Sequence, residues 1–133
     1  MMDDLVAFIR ARIDEDERIA RRAASDAGEH WNGEGVSLEI ELDDGSYETW
    51  QVGEHTSRHD PARVLRGVEA RRRIVEVHEH QTFAFPEPTT GAQIGCIVCH
   101  STYEDFPGGW CDTLRAVASE WSTHPDYQAG WAS

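Results

Sequence analysis

The chain has 133 residues, 25 acidic and 12 basic, giving a formal net charge of -13. A single domain of this length buries roughly two-thirds of the surface its unfolded form exposes, and a mean hydropathy of -0.59 implies a modest core. So anionic a surface repels phosphate backbones, which sets ordinary nucleic-acid binding aside. It serves solubility, or alternatively makes the chain a negatively charged decoy for a basic groove. Every basic residue is arginine, so no lysine is present for Schiff-base or phosphate-clamp chemistry.

The opening stretch "MMDDLVAFIRARIDEDE" is acidic and its apolar residues are interrupted by charge, unlike a signal peptide. No run reaches membrane-spanning length. The expectation is a cytoplasmic protein, in which thiols stay reduced. Residues 3–24 are predicted as a helix, because Leu5, Phe8, Ile9 and Ile13 recur at helical spacing and Ile19, Ala20 and Ala23 continue the pattern. Asp14 with Arg18 and Glu17 with Arg21 stand in the favourable i,i+4 orientation. After the glycine-containing break "SDAGEHWNGEG", the segments "VSLEIEL" and "YETWQV" alternate on either side of "DDGS", which predicts a β-hairpin.

The strongest predicted helix is "RHDPARVLRGVEARRRIVEVHEH", residues 58–80. Asp60 is a good N-cap and Pro61 suits the first helical position. Val64, Leu65, Val68, Val75 and then His78 fall on one face. Residues 81–95, with their prolines and glycines, read as a loop holding at most a short strand. A short helix follows from Asp112 to Trp121, with Leu114, Val117, Ala118 and Trp121 inward. Tyr127 and Trp131 of the irregular tail are expected to pack down. Trp31 and Trp50, in or beside the hairpin, read as core residues or alternatively as a partner-binding patch. There is no internal repeat. The whole is a single α+β domain over residues 1–133: a long N-terminal helix, a β-hairpin, a second long helix, a zinc-knuckle segment and a short C-terminal helix.

All three cysteines lie in "GCIVCHSTYEDFPGGWC". Cys96 and Cys99 form a C-x2-C pair, a spacing that lets two thiolates reach one tetrahedral ion from a tight turn. Cys111 opens the short helix, where the dipole and free amides stabilise a thiolate. The candidate metal ligands are Cys96, Cys99, Cys111 and His78. His78 is favoured because it prolongs the inward face of the second helix near its end, while His80, His100, His59 and His124 remain alternatives. Four filled positions make a structural Zn2+ site, with no open position for water. The alternative is that the cysteines are small buried hydrophobes.

Catalytic readings fit less well. A zinc deaminase needs H-x-E before P-C-x2-C, and here position 80 is histidine and Gly95 replaces the proline. A cysteine hydrolase would use Cys111 as nucleophile, His124 as base and Asp126 as orienting group. Few residues follow Cys111 to build the sheet that usually presents such a histidine, and His124-Pro125-Asp126 reads as a turn. An open-site zinc enzyme is the other catalytic alternative.

Three stretches, "MDDLVAFIRARIDEDERIARRAA", "RHDPARVLRGVEARRRIVEVHE" and "GWCDTLRAVASEWSTHPDYQAGW", resemble a domain-of-unknown-function family of small uncharacterised actinobacterial and phage proteins. The resemblance covers both ends and the central helix in order. The family commonly carries a Thr-Pro-Gly-Pro-Trp-like element after the first helix, where this chain has "SDAGEHW". A paired cysteine and a later one, like Cys96, Cys99 and Cys111, recur in it, so the resemblance implies that these positions act together. It implies no activity. The resulting expectation is a non-enzymatic, zinc-stabilised protein that works through an unidentified protein partner, as a phage or host accessory factor would.

Overall fold

The computed structural model describes residues 2–33, 37–79, 81–84, 92–96, 98, 99, 101, 102 and 110–132. Its elements are α1 (Met2–Ala27), β1 (Ser37–Glu41), β2 (Tyr47–Gln51), α2 (Gly53–Arg58), α3 (Pro61–His78), β3 (Gln81–Ala84), β4 (Ala92–Cys96), β5 (Ser101–Thr102) and α4 (Asp112–Ser119), then a 3-10 turn at Ala129–Trp131. The architecture is α+β, as the alternation of periods in the sequence implies. Contacts divide the chain into two compact units, residues 1–15 with 69–133 and residues 16–68.

In the first unit, α1 buries Leu5, Ile9 and Ile13 completely, the i,i+4 stripe that made it legible as a helix. Val6 of α1, Val75 of α3 and Leu114 and Ala118 of α4 are enclosed aliphatic side chains of the same unit. Phe8 extends this core into an aromatic cluster, its ring 5.9 Å from Tyr127 and 5.1 Å from Trp131. The tail therefore packs down as its two large rings require. Arg115 of α4 fixes it further, donating from Nε to the Trp131 carbonyl at 3.1 Å. Ion pairs Arg10–Glu79 at 2.9 Å, Arg72–Asp14 at 2.8 Å and Arg71–Glu120 at 2.5 Å lie on the surface and contribute little each. Asp14 thus takes Arg72 in place of the expected Arg18, whereas Glu17 does pair with Arg21, at 2.8 Å.

The expectation of a loop with at most one short strand over residues 81–95 is corrected to two strands. Strands β3, β4 and β5 form an antiparallel sheet in that order, with Thr82 opposite Ile94 and Cys96 opposite Ser101. Residues 85–91 lie outside the described ones. β4 ends at Cys96 and β5 begins at Ser101, with Val98 and Cys99 in a turn between them, so the two cysteines of the C-x2-C pair stand at the end of a strand and in the turn that follows.

The second unit holds the predicted hairpin. β1 and β2 pair antiparallel with Leu38 opposite Trp50 and Ile40 opposite Glu48. The Leu42 N–H donates to the Ser46 carbonyl at 2.7 Å, which leaves Asp43, Asp44 and Gly45 as the loop, and the Gly45 N–H donates to the Leu42 carbonyl at 2.9 Å. Gly45 has φ +80°, the left-handed residue that a three-residue hairpin loop needs. At the hairpin's base, Gly33 and Gly53 approach so closely that a Cβ on either would run into the other's backbone carbonyl.

The six-residue α2 was not foreseen. It carries no buried residue, so no apolar stripe announces it. α3 begins where Asp60 and Pro61 predict. The Asp60 Oδ1 accepts from the Arg63 N–H at 3.0 Å, which holds its carboxyl below the ordinary 3.8. Val68 is buried. Ile19, expected inward, is 53 % exposed. Trp50 is also exposed and so is not a core residue.

Candidate metal centre

Four side chains from three neighbourhoods of the first unit converge. His78 is the last residue of α3, one turn beyond the buried Val75. Cys96 ends β4 and is wholly buried, and Cys99 lies exposed in the turn that follows. Cys111 is the N-cap residue of α4, with extended backbone at φ -66° and ψ 155°, and is likewise buried. One donor atom from each lies within 4.8 Å of all the others.

The imidazole sets the geometry. His78 Nδ1 is 3.4 Å from Cys96 Sγ, 3.4 Å from Cys99 Sγ and 3.9 Å from Cys111 Sγ. A neutral imidazole nitrogen has one lone pair and can accept one S–H hydrogen bond. Only one of the three sulfurs around it can therefore donate to it. Coordination accounts for all of them. With metal–sulfur bonds near 2.3 Å and metal–nitrogen bonds near 2.0 Å, a tetrahedral zinc has S–N edges of about 3.5 Å and S–S edges of about 3.8 Å. Two of the three S–N distances match the first and that of Cys111 exceeds it by about 0.4 Å, while no S–S separation is more than 4.8 Å.

The backbone also shapes the site. Cys99 donates its N–H to Cys96 Sγ at 3.4 Å, the contact by which the turn tightens around the first sulfur. Thr113 Oγ1 lies 3.9 Å from Cys99 Sγ, a neighbour that nothing in the spacing of the cysteines could indicate. Without a cation, the cluster is hostile to charge. Burial pushes the Cys111 thiol up to about 12, the Leu114 backbone N–H opposing and the other two thiols adding to the rise. Desolvation, and then the Cys96 thiol, raise Cys99 as well. A divalent ion inverts this, because it binds the thiolates and displaces their protons.

The alternatives to His78 are placed elsewhere or not described. His59 stacks on His55 in the second unit at a centroid distance of 4.3 Å. His124 packs edge-on to Phe8 at 5.7 Å and against Arg12 Nη1, and its Nδ1 accepts from the Asp126 N–H at 3.1 Å. His80 and His100 lie outside the described residues. Among the described contacts, the imidazole beside Cys111 is that of His78 and not the proposed base His124.

Residues 2–133 match a family described as "Family of unknown function (DUF6221)". The chain belongs to DUF6221. All four clustered side chains fall inside the matched span, so the cluster lies within the DUF6221 domain. No curated protein and no solved structure matches this DUF6221 chain. Among its described residues, no helix is long and apolar enough to cross a membrane.

Proposed function

We propose that His78, Cys96, Cys99 and Cys111 bind one structural Zn2+, and that this DUF6221 protein is a non-enzymatic domain acting through protein contacts. The supporting observation is the crowding of three sulfurs around a single nitrogen lone pair. The Cys3His donor set suits zinc: soft thiolates with one imidazole select it over the hard, oxygen-seeking cations. Four donors fill a tetrahedron and leave no position for an activated water, so the ion holds structure and does no chemistry.

Its mechanical role follows from where the ligands sit. The ion would join the end of α3, the β4–β5 turn and the start of α4. Such a site contributes on the order of 10 kcal/mol of folding free energy, comparable to the whole stability of a small domain. Free thiols and an unpaired number of cysteines suit a reducing compartment, so the cytoplasm is the proposed location. A phage or host accessory factor is the kind of protein such a small acidic domain suits.

Elemental analysis tests the reading. Purified protein is expected to carry one equivalent of zinc, and Co2+ substitution should give the intense visible bands of a tetrahedral thiolate site. Fully folded protein with less than a tenth of an equivalent of any metal, and no Co2+ spectrum, would overturn it.

A further inference from the structure

We propose that the open edge of β1 is a docking site for an extended basic segment of a partner protein, one whose residues alternate between apolar and arginine or lysine side chains. This rests on reading the chain as a protein-binding domain and does not depend on the metal.

Among the described residues, β1 and β2 form a two-stranded sheet by themselves. Such a ribbon is marginal alone in water and offers an unpaired backbone edge to any extended chain. Its two faces differ sharply. Side chains of Leu38, Ile40, Trp50 and Glu48 share one face, as their cross-strand pairing requires. Most of that face is uncovered: Leu38 is 53 % exposed, Trp50 49 % and Leu42, just beyond the strand, 39 %, while Ile40 between them is half-buried. The opposite face carries Glu39 and Glu41.

β1 therefore reads apolar, acidic, apolar, acidic, apolar from Leu38 to Leu42. A strand added to its free edge sets its own alternate residues beside these, face for face. Apolar side chains then continue the Leu38–Ile40–Leu42 row. Residues between them lie beside Glu39 and Glu41, where a cation is stabilising and an anion is not. No basic residue occurs anywhere from Ser37 to Val52, while Glu39, Glu41, Asp43, Asp44 and Glu48 do. Among the described residues none of these five carboxylates makes an ion pair within the chain.

The same charges argue against a second copy as occupant. Two β1 strands side by side would bring Glu39 and Glu41 of each against those of the other, a like-charge arrangement that destabilises strand pairing. The edge of β2 is a poorer match, since only Glu48 among Tyr47–Gln51 is charged.

The test uses the full-length, isotope-labelled protein with its metal content measured beforehand. The probes are three synthetic ten-residue peptides: alternating Arg–Leu, alternating Glu–Leu, and five arginines followed by five leucines. Expected are amide shifts concentrated in residues 37–51 with the alternating Arg–Leu peptide, at least ten-fold weaker binding of the block peptide, and none of the Glu–Leu peptide. The double variant E39R/E41R should reverse the preference, losing the Arg–Leu peptide and gaining the Glu–Leu one. L38S/W50S should weaken Arg–Leu binding at least ten-fold. Each variant is checked for its circular dichroism, and E39R/E41R touches only exposed side chains, so its reversal is readable even if L38S/W50S fails to fold. Equal binding of block and alternating peptides, shifts scattered over the acidic surface, an unreversed preference, or self-association through this edge would overturn the proposal. Loss of metal with intact peptide binding would sink the zinc reading alone, and full metal with no peptide binding this one alone.

Discussion

Cys99 differs from its two partners in a way that governs how the cluster can be attacked. Cys96 and Cys111 are enclosed, one ending a strand and the other opening a helix, while Cys99 sits exposed in the turn between β4 and β5. Thiol reactivity follows both access and thiolate fraction. Cys111 fails on both counts, being buried and having its thiol pushed up to about 12 by that burial. In metal-free protein under native conditions at neutral pH, alkylation should therefore mark Cys99 first and Cys111 last, by at least ten-fold in rate. In zinc-loaded protein all three should be slow, since each sulfur's lone pair is engaged by the ion. Peptide mapping after timed exposure to iodoacetamide checks both halves. Fast modification of Cys111 in folded protein would instead mark it as an activated nucleophile and favour a hydrolase. The four clustered residues could be named by a residue-level reading of the sequence because candidate ligand types are few, and the C-x2-C spacing and the end of α3 are both countable. Thr113 and the Cys99 N–H escaped it because they act through local backbone geometry, which spacing does not encode.

Among the elements, the amphipathic helices were legible and the second sheet was not, for the same physical reason. α1 and α3 carry apolar residues at a period that only a helix can bury on one side, and Asp60 with Pro61 marks where α3 starts. β3 and β4 are four and five residues long, in the sequences "QTFA" and "AQIGC". Neither alternates clearly, and they are separated by proline and glycine, so pairing rather than local pattern forms them. The hairpin β1–β2 was readable because both strands alternate and the turn residues are explicit. What the pattern did not disclose is the contact at its base. Gly33 and Gly53 flank the hairpin in sequence and meet backbone to backbone, a proximity that belongs to tertiary structure. Gly33→Ala should cost about 1–3 kcal/mol, the usual range for overpacking, because the new methyl has only a peptide carbonyl to push. Gly130, whose added Cβ meets nothing within 4 Å, is the control, and Gly130→Ala should change stability by less than about 0.5 kcal/mol. Equilibrium urea denaturation of the zinc-loaded variants measures both. Equal stability of the two variants would show that the loop carrying Gly33 moves aside freely.

At the scale of the whole molecule, the question is how far the metal's influence extends. All four clustered side chains belong to the unit made of residues 1–15 and 69–133, and none to residues 16–68. In the metal-free state this unit would hold three thiols and one imidazole beside a core that includes Leu5, Ile9, Ile13, Val75 and Leu114. The second unit keeps its own devices: the hairpin register, the Asp60 cap, and the 2.7 Å hydrogen bond from Trp31 Nε1 to the Gly28 carbonyl. Chelation should accordingly strip hydrogen-exchange protection first from α4 and from the second half of α3. Amides of β1, β2 and the first turns of α3 should retain more of theirs. Helices α1 and α3 run through both units, so partial loss is expected to spread along them and to fade with distance from the cluster. Exchange measured by mass spectrometry, before and after a strong chelator, resolves this gradient. A uniform loss over residues 16–68 and the rest alike would show one cooperative block, in which the ion stabilises the entire fold. No change in either would mean that the fold does not depend on the ion.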